Sequence, residues 1–277
     1  MKKIKTISLA TLTMGVFFSI LSYAFTEKFE SSAQIYIKDK FSDTSIDANI
    51  TSFLGNQDLG IFDQKDISNK IFLDQILSKS FFYSFIGSHP KYITLIYENE
   101  PTFFHNIGRK DVPKTIDEMQ PKNKLLLYNK FRKTFSVQSL RQSDSFKLNI
   151  TTQNPEQSYD LLSDLLKFYD NEKRNYDLVE SNQRIEFYRE KALNQNIVEI
   201  KQAISTNLEK ELLKNSLIKT DLWYTLSFVD YPLIPEKKKS PTRSVFLIFG
   251  LILGFLSSFL IVNISSIRSY AAKYLQD

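Results

Sequence analysis

Two long apolar runs, one near each end of the chain, most constrain what this sequence can fold into. Residues 6–25 and 244–264 contain no charged side chain, over twenty and twenty-one positions. About 20 apolar residues in a helix are enough to cross the hydrocarbon core of a bilayer. The two runs therefore predict two transmembrane helices, with a folded body of residues 26–243 between them.

The first run also fits a secretory signal. Lysines precede it, and Ser22-Tyr23-Ala24 has the small-x-small pattern of a cleavage site. The apolar core of a signal is normally about 7–15 residues, which is shorter than this run. We therefore favour a retained anchor, and a mature protein that begins at Phe25 is the alternative.

The positions of the charges predict the orientation of the chain in the membrane. The formal net charge is +5, and most of the excess lies outside the two runs, with three lysines in residues 1–5 and two cations in residues 265–277. Because short basic segments stay in the cytoplasm, both termini are predicted there and residues 26–243 in the periplasm. The nearly neutral body also lacks the concentrated cationic face that nucleic-acid binding needs.

One basic cluster opposes this orientation. Lys237, Lys238, Lys239 and Arg243 lie directly before the second run, on its predicted outer side. The simplest interpretation is a solvated charge run, or one paired with acidic neighbours. The functional alternative is contact of the three lysines with anionic headgroups or lipid-linked pyrophosphate, worth about 1 kcal/mol per cation near a charged surface.

Composition and topology exclude several classes of function. The chain has no cysteine and only two histidines, His89 and His105, so thiol chemistry and a multi-histidine metal site are excluded. Neither histidine belongs to a recognisable catalytic motif, and no phosphate-binding glycine loop is present. The short segments predicted in the cytoplasm cannot bury the core of a signalling module. We therefore expect neither an enzyme nor a cofactor.

Periodicity predicts a mixed body of helices and strands between the two runs. Residues 32–37, 146–151 and 224–229 alternate polar with apolar positions and predict strands. Residues 66–85 repeat apolar side chains at helical spacing, whereas residues 91–122 contain several prolines and are interpreted mostly as connector. If the first and third strands pair, the body is closed at its base, beside the bilayer.

A strand–turn–helix unit follows the second strand. Asn154 can cap the free N–H groups of a helix, and Pro155 is well suited to the first helical position. Leucines then recur on one stripe as far as Tyr169. These residues predict a helix over 155–169 that packs on the sheet.

The segment from Tyr176 to about Trp223 predicts an unusually long helix. It contains neither Gly nor Pro over 48 residues, and at 1.5 Å per residue a single helix would be about 70 Å long. Its narrow apolar stripe needs a neighbour, such as a coiled-coil partner in another subunit. The alternative is two shorter helices folded back on each other, although the Gly or Pro expected at a bend is missing.

The second apolar run carries two glycines four positions apart. Small residues at this spacing let helix backbones approach closely, so Gly250 and Gly254 form a candidate helix–helix contact. Glycine is also common in membrane spans in general, so the spacing alone is a weak signal.

Taken together, these features resemble the polysaccharide chain-length determinant proteins (Wzz-type polysaccharide co-polymerases) of bacterial inner membranes. Besides the terminal runs and the long helix, the resemblance rests on the segments FKLNITTQNPEQSYDLLSDLLKFY and LSFVDYPLIPEKKKSPTRSVFLIFGLILGFL. Residues 26–45 and 130–265 fit the family pattern, whereas 46–129 do not match it. The positions of the second segment that carry the family's proline-rich and glycine-bearing pattern are Pro232, Pro235, Pro241, Gly250 and Gly254.

The resemblance implies an α+β membrane protein in which two transmembrane helices flank a periplasmic α/β base with a long protruding helix. It also implies a non-enzymatic homo-oligomer that works with a separate inner-membrane polymerase to set the length of a surface polysaccharide of the O-antigen type. Lipid-linked polysaccharide is a further implied contact. The absence of a phosphate-binding loop after the second run does not support the tyrosine-kinase branch of the wider group. The alternative is a capsule or exopolysaccharide export component that bridges to an outer-membrane channel.

Overall fold

The computed structural model describes residues 2–38, 64–99, 115–140 and 143–274. The helices are α1 (Lys2–Leu21), α2 (Gln64–Ile76), α3 (Lys79–Ser88), α4 (Lys91–Glu98), α5 (Pro121–Thr134), α6 (Pro155–Asn194), α7 (Val198–Thr220) and α8 (Arg243–Tyr274). The strands are β1 (Lys28–Ile37), β2 (Phe135–Leu140), β3 (Ser145–Thr152), β4 (Leu226–Asp230) and β5 (Lys238–Ser240). The described residues thus form a mixed α and β protein that is mostly helical.

A single antiparallel sheet organises the body, in the order β2-β3-β1-β4, with β5 paired to the start of β1. Within β1, Ser31, Ala33 and Ile35 are buried and alternate with more exposed positions, as expected for a strand with one face on the core. Ile37 of β1 lies opposite Leu226 of β4. The first and third predicted strands are therefore paired, which is the condition that the sequence analysis set for a body closed at its base.

Helix α6 covers one face of this sheet. The Asn154 side chain accepts a hydrogen bond from the Glu156 backbone N–H at 2.9 Å, and Pro155 takes the first helical position, which confirms the predicted cap. The apolar stripe that faces the sheet is fully buried and consists of Leu161, Leu162, Leu165, Leu166 and Tyr169. Burial of an apolar side chain contributes about 1.5–3 kcal/mol, so these five side chains together contribute about 8–15 kcal/mol to the packing of the helix on the sheet.

Helices α2–α5 complete the same core with aromatic side chains. The rings of Phe82 and Phe131 stack at 4.7 Å, and those of Phe72 and Phe146 lie 4.9 Å apart. The buried Asn99 side chain donates to the Thr151 carbonyl oxygen of β3 at 2.6 Å. The described part of the region that the family pattern did not match therefore belongs to the same folded body as the sheet.

The prediction of one long helix over 176–223 is wrong. Helix α6 runs without interruption from Pro155 to Asn194, and after a break at residues 195–197 the chain reverses into α7. The two helices pack against each other as a hairpin, with Ile218 of α7 and Ile185 of α6 buried in the contact region. The folded-back alternative describes the structure.

The bend forms without Gly or Pro because a side chain supplies the hydrogen bonds. The Gln195 side-chain oxygen accepts from the backbone N–H groups of Asn196 and Ile197 at 3.1 and 3.2 Å. A polar contact then fixes the register of the hairpin. The Asn215 side chain donates to Ser181 at 3.2 Å and to Asn182 at 3.0 Å, and both Asn215 and Ser181 are buried.

Two other expectations require correction. The helix predicted over 66–85 is divided, because Ser78 accepts a hydrogen bond from the Phe81 N–H and caps a new helix. Residues 91–98, interpreted as connector, form the helix α4. That interpretation rested on the proline and glycine residues after position 100. Tyr92, Ile93 and Ile96 precede them and form the buried face of this short helix.

The two apolar runs form helices that pack against each other. Arg243–Leu260 in α8 is the one helical stretch among the described residues that is long and apolar enough to cross a membrane, while the apolar part of α1, Ser8–Leu21, is shorter. The rings of Phe18 and Phe249 lie 5.9 Å apart, and those of Phe25 and Phe246 5.3 Å apart. Helix α8 continues past the predicted end of the run at 264.

The hairpin can be tested by disulfide formation, because the chain has no cysteine of its own. We expect Ser181→Cys with Asn215→Cys to form an intramolecular disulfide on mild oxidation, detected as faster migration on a non-reducing gel. In one continuous helix these positions would be about 50 Å apart.

The matched control is Ser181→Cys with Ser205→Cys. In the hairpin Ser205 lies about ten residues along α7 from the contact, about 15 Å beyond disulfide reach. Equal cross-linking of the two pairs would contradict the hairpin.

Candidate functional site at the base of the sheet

Both apolar helices leave the sheet at the same place. Strand β1 begins at Lys28, shortly after α1, and β5 ends at Ser240, just before α8. These two strand ends are hydrogen-bonded neighbours, with Lys28 opposite Ser240. We call this region, residues 22–30 and 236–243, the junction.

The basic cluster before α8 is paired with carboxylates of the junction. The Lys238 ammonium lies 2.6 Å from the Glu27 carboxylate, Arg243 lies 3.9 Å from the same carboxylate, and Lys239 pairs with Glu30. Pairing with acidic neighbours is therefore the arrangement that Lys238 and Lys239 adopt. Lys237 has no ion-pair partner among the described residues. Headgroup contact stays a prediction for all three lysines, since the ion pairs leave the Lys238 and Lys239 side chains partly exposed.

These ion pairs shift the titration of Glu27. The hydrogen bond from Lys238 and its positive charge hold the pKa of Glu27 below its usual range, and Arg243 adds to the effect. The Arg243 guanidinium also lies over the Tyr23 ring, 4.2 Å from its centroid. Because the pairs are exposed, their contribution to the stability of the fold is small.

The proline-rich segment connects β4 to β5 in an extended path. Pro232 and Pro235 lie outside regular structure, as expected where proline removes backbone donors and restricts the preceding residue. The Ser31 hydroxyl donates to the Leu233 carbonyl oxygen at 2.9 Å and holds this path against β1. Pro241 lies between β5 and α8, and the Ser240–Pro241 bond is cis.

Gly250 and Gly254 lie where α8 meets α1 of the same chain. A Cβ atom on Gly250 would lie 2.7 Å from the Phe18 Cβ, and one on Gly254 would lie 2.8 Å from the Met14 Cβ. Gly15 of α1, which sequence reasoning missed, faces Leu251 in the same way. Both helices thus contribute glycine to the contact. The presence of Gly15 in the first apolar run was the sequence signal that could have identified it.

The histidines do not form a catalytic arrangement in the described residues. His89 stacks on Phe85 at 4.9 Å and lies edge-on to Phe168 at 5.8 Å, so it is part of the aromatic packing. His105 lies outside the described residues. No group of three His, Asp or Glu side chains that could hold a metal ion occurs within the described ranges.

A polar contact beside His89 joins α4 to α6. Asp164 accepts hydrogen bonds from the Tyr92 hydroxyl at 2.7 Å and from Lys91 at 2.9 Å. Burial alone would raise the pKa of Asp164, but these two donors outweigh it and lower that pKa. Burial, with the bond to Asp164, raises the pKa of Tyr92. The contact fixes the position of α4 on α6.

Sequence reasoning also missed Asp170, a buried carboxylate of α6. It accepts hydrogen bonds from the backbone N–H groups of Tyr224 and Thr225 at 3.0 and 2.6 Å, and it pairs with Arg174 at 3.1 Å. These bonds delay the start of β4 to Leu226, two residues later than predicted. An acidic residue beside Tyr169, at the end of an apolar stripe, was the signal that could have found it.

Comparisons with known proteins find similarity to solved structures of polysaccharide co-polymerases. No family model and no curated protein matches the chain. The chain is similar to a full-length bacterial polysaccharide co-polymerase, at 10% identity and a TM-score of 0.37, over 96% of this chain and 95% of that one. It is also similar to a fragment of WzzB, a polysaccharide co-polymerase from Salmonella Typhimurium, at 11% identity and a TM-score of 0.32, over 78% of this chain and 100% of that one.

The glycine contact predicts a specific defect. We expect Gly250→Leu with Gly254→Leu to separate α8 from α1, because each new side chain would overlap atoms of α1, and overpacking costs about 1–3 kcal/mol per site. The readout is the yield of an intramolecular disulfide between Phe25→Cys and Phe246→Cys in membranes. Ile252→Leu, on the exposed side of α8, is the control and should leave the yield unchanged; an unchanged yield in the glycine variant would contradict the contact.

The pairing of Glu27 predicts a pH-dependent contribution to stability. A carboxyl group with a lowered folded-state pKa stabilises the fold above its unfolded pKa of about 4.3, and this contribution is lost as the pH falls through the folded value. We expect Glu27→Gln to lower the thermal unfolding temperature of the detergent-solubilised chain at pH 7, and the difference from wild type to shrink below about pH 4. Glu236→Gln is the control, and a pH-independent difference would contradict the pairing.

Proposed function

We propose that this chain is a non-enzymatic membrane scaffold that regulates the length of a surface polysaccharide in bacteria. It would act as a homo-oligomer together with a separate polymerase of the inner membrane. The proposal starts from the family resemblance of the sequence, and the arrangement of the junction supports it.

The observation that carries the proposal is that both ends of the body meet at one place. The strands next to the two apolar runs are hydrogen-bonded in one sheet, and the apolar helices pack through Gly15, Gly250 and Gly254. A body fixed at both ends to a helix pair has a defined height and orientation relative to a bilayer. This is what a scaffold needs if it is to act on a membrane polymerase by geometry.

The short basic segment before the first helix favours the proposed topology, with both helices crossing the inner membrane, both termini in the cytoplasm and the body in the periplasm. Residues 1–5 carry three lysines, and the first helix usually dominates the orientation of a chain. The basic cluster of the junction lies at the end of a long body, and long domains are translocated largely regardless of their charge. Lys238, Lys239 and Arg243 of this cluster lie close to the carboxylates of Glu27 and Glu30.

The helical hairpin supports self-association. Its apolar side chains remain largely exposed at several positions outside the α6–α7 contact, including Tyr176, Val179, Phe187, Leu193 and Leu213. Exposed apolar surface of this kind marks interaction sites in soluble domains. We propose that neighbouring subunits cover it, so that the hairpins, rather than single long helices, form the inter-subunit contacts above the sheet.

The proposed mechanism is geometric. An oligomer of such subunits would confine the growing polysaccharide and the polymerase, and would bias how many repeat units are added before the chain is released for ligation. No step of this mechanism requires a nucleophile, a metal or a cofactor from this chain.

Deletion of the gene tests the proposal directly. We expect the surface polysaccharide to lose its modal length and to spread over a broad range of sizes on a gel, while the repeat unit stays the same. A plasmid copy of the wild-type gene is the control and should restore the original distribution.

The same experiment separates the export alternative. A loss of surface polysaccharide with an unchanged size distribution would indicate an export component instead. An unaltered amount and an unaltered distribution would contradict both functions.

A further inference from the structure

A small aromatic cleft lies between α6 and the edge strand β4. Side chains of Tyr159, Ser163 and Lys167 line it from the helix, and those of Trp223, Phe228 and Tyr231 line it from β4 and its flanks. Its volume is about 120 Å³. About four water molecules occupy this volume in liquid water, at about 30 Å³ each. The cleft therefore has room for one six-membered ring but not for a helix.

Three aromatic rings lie next to one another at the cleft. The Phe228 and Tyr231 rings lie 4.5 Å apart and almost parallel, at 9°, whereas the Trp223 and Phe228 rings meet edge to face, at 4.7 Å and 64°. Tyr231 is 59% exposed, so its ring is accessible from solvent. The face of an aromatic ring is electron-rich and attracts polarised C–H groups.

Several polar groups around these rings are unpaired within the part of the chain that the structure describes. The hydroxyls of Tyr159, Ser163 and Tyr231 make no hydrogen bond, and the Lys167 ammonium makes no ion pair, with any residue that the structure describes. Each hydroxyl can both donate and accept, and the ammonium can donate three bonds. An aromatic cleft with several free donors and acceptors is suited to a ligand that is flat and apolar on its faces but rich in hydroxyls at its edges.

The backbone around Trp223 is fixed before any ligand binds. Its carbonyl oxygen accepts from the Lys38 ammonium at 2.6 Å, and the preceding carbonyl, of Leu222, accepts from Arg174 at 3.1 Å. The next two backbone N–H groups donate to the Asp170 carboxylate. Three charged side chains thus hold this short segment, and a preorganised site loses less entropy when it binds.

We infer that this cleft binds a sugar ring of the polysaccharide whose length the protein is proposed to regulate. The inference rests on the proposed function for the identity of the polymer, and on the cleft for the mode of contact. A pyranose places axial C–H groups on its faces and hydroxyls on its rim. Its face stacks on Tyr231, and its edge contacts the Trp223 ring. Its hydroxyls bond to Tyr159, Ser163 and Lys167.

The cleft would then hold one sugar ring beside the segment that leads to α8. Pro232 follows Tyr231 directly and also lines the cleft, and the chain continues from there to β5 and the junction. A weak contact of this kind keeps the polymer beside the scaffold and still allows it to slide. This role is distinct from the helix contacts that hold the scaffold together.

The experiment uses the natural fluorescence of the cleft, because Trp223 is the only tryptophan in the chain. The probe is the polysaccharide released by mild acid from the surface of the cells that carry this gene, added to the purified full chain in detergent. We expect a saturable change in tryptophan emission. Tyr231→Ala should weaken the apparent affinity about tenfold, the scale of losing one stacked ring.

Two further variants separate the stacking from general effects. Tyr231→Phe keeps the ring and should retain most of the affinity. Leu126→Ala removes an exposed apolar side chain outside the cleft, from α5, and should leave the titration unchanged. A concentration series of the protein without polysaccharide tests whether a second copy of the chain covers the edge of β4 instead.

The outcomes decide the inference separately from the proposed function. No saturable change in emission, the same affinity in Tyr231→Ala, or a change that follows protein concentration alone would each overturn the sugar site. If deletion of the gene alters the polysaccharide length while the titration is flat, the regulator function stands and the cleft has another role. If the titration succeeds and deletion has no effect, the sugar site stands and the regulator function falls.

Discussion

The antiparallel pairing of β1 with β4 and β5 is the constraint on which the rest of the structure depends. It brings the end of the first apolar helix and the start of the second to the same end of one sheet, where Lys28 lies opposite Ser240. The helices are then close enough for Gly250 and Gly254 to meet α1. A chain whose strands did not pair here would place its apolar helices independently, and nothing would fix the body relative to them.

A buried carboxylate connects this base to the helical layer. Asp170 lies on the face of α6 that packs toward the sheet and takes up the backbone N–H groups just before β4. A buried charge is costly unless it is paired and hydrogen-bonded, and here Arg174 and the backbone supply both. The same bonds hold Trp223 at the aromatic cleft, so the positions of the sheet and of the proposed sugar site are set by one interaction.

Local signals in the sequence predicted the parts of the fold that are decided locally. Strict alternation located three of the five described strands, β1, β3 and β4, and missed β2 and β5. Asn154-Pro155 located the start of α6, because the cap is encoded within a few residues. The ion pairs of Glu27 and Glu30 could not be predicted, since they depend on the register between strands about 210 residues apart in sequence. The aromatic cleft depends in the same way on how α6 lies against β4.

The single long helix predicted over 176–223 is inconsistent with two other predictions, the helix that directly follows the second strand and the strand that begins near residue 224. Helix α6 starts at the sheet directly after β3, and β4 belongs to the same sheet, so the chain between them must leave the base and return. A single rod of about 70 Å would end far from Leu226, because the few residues left to reach it span at most about 3.5 Å each. Pairing of the first and third predicted strands would thus already have required the chain between them to fold back as a hairpin. At the reversal, the Gln195 side-chain oxygen accepts hydrogen bonds from two backbone N–H groups. The chain therefore turns without the glycine or proline that is usually found at such a bend.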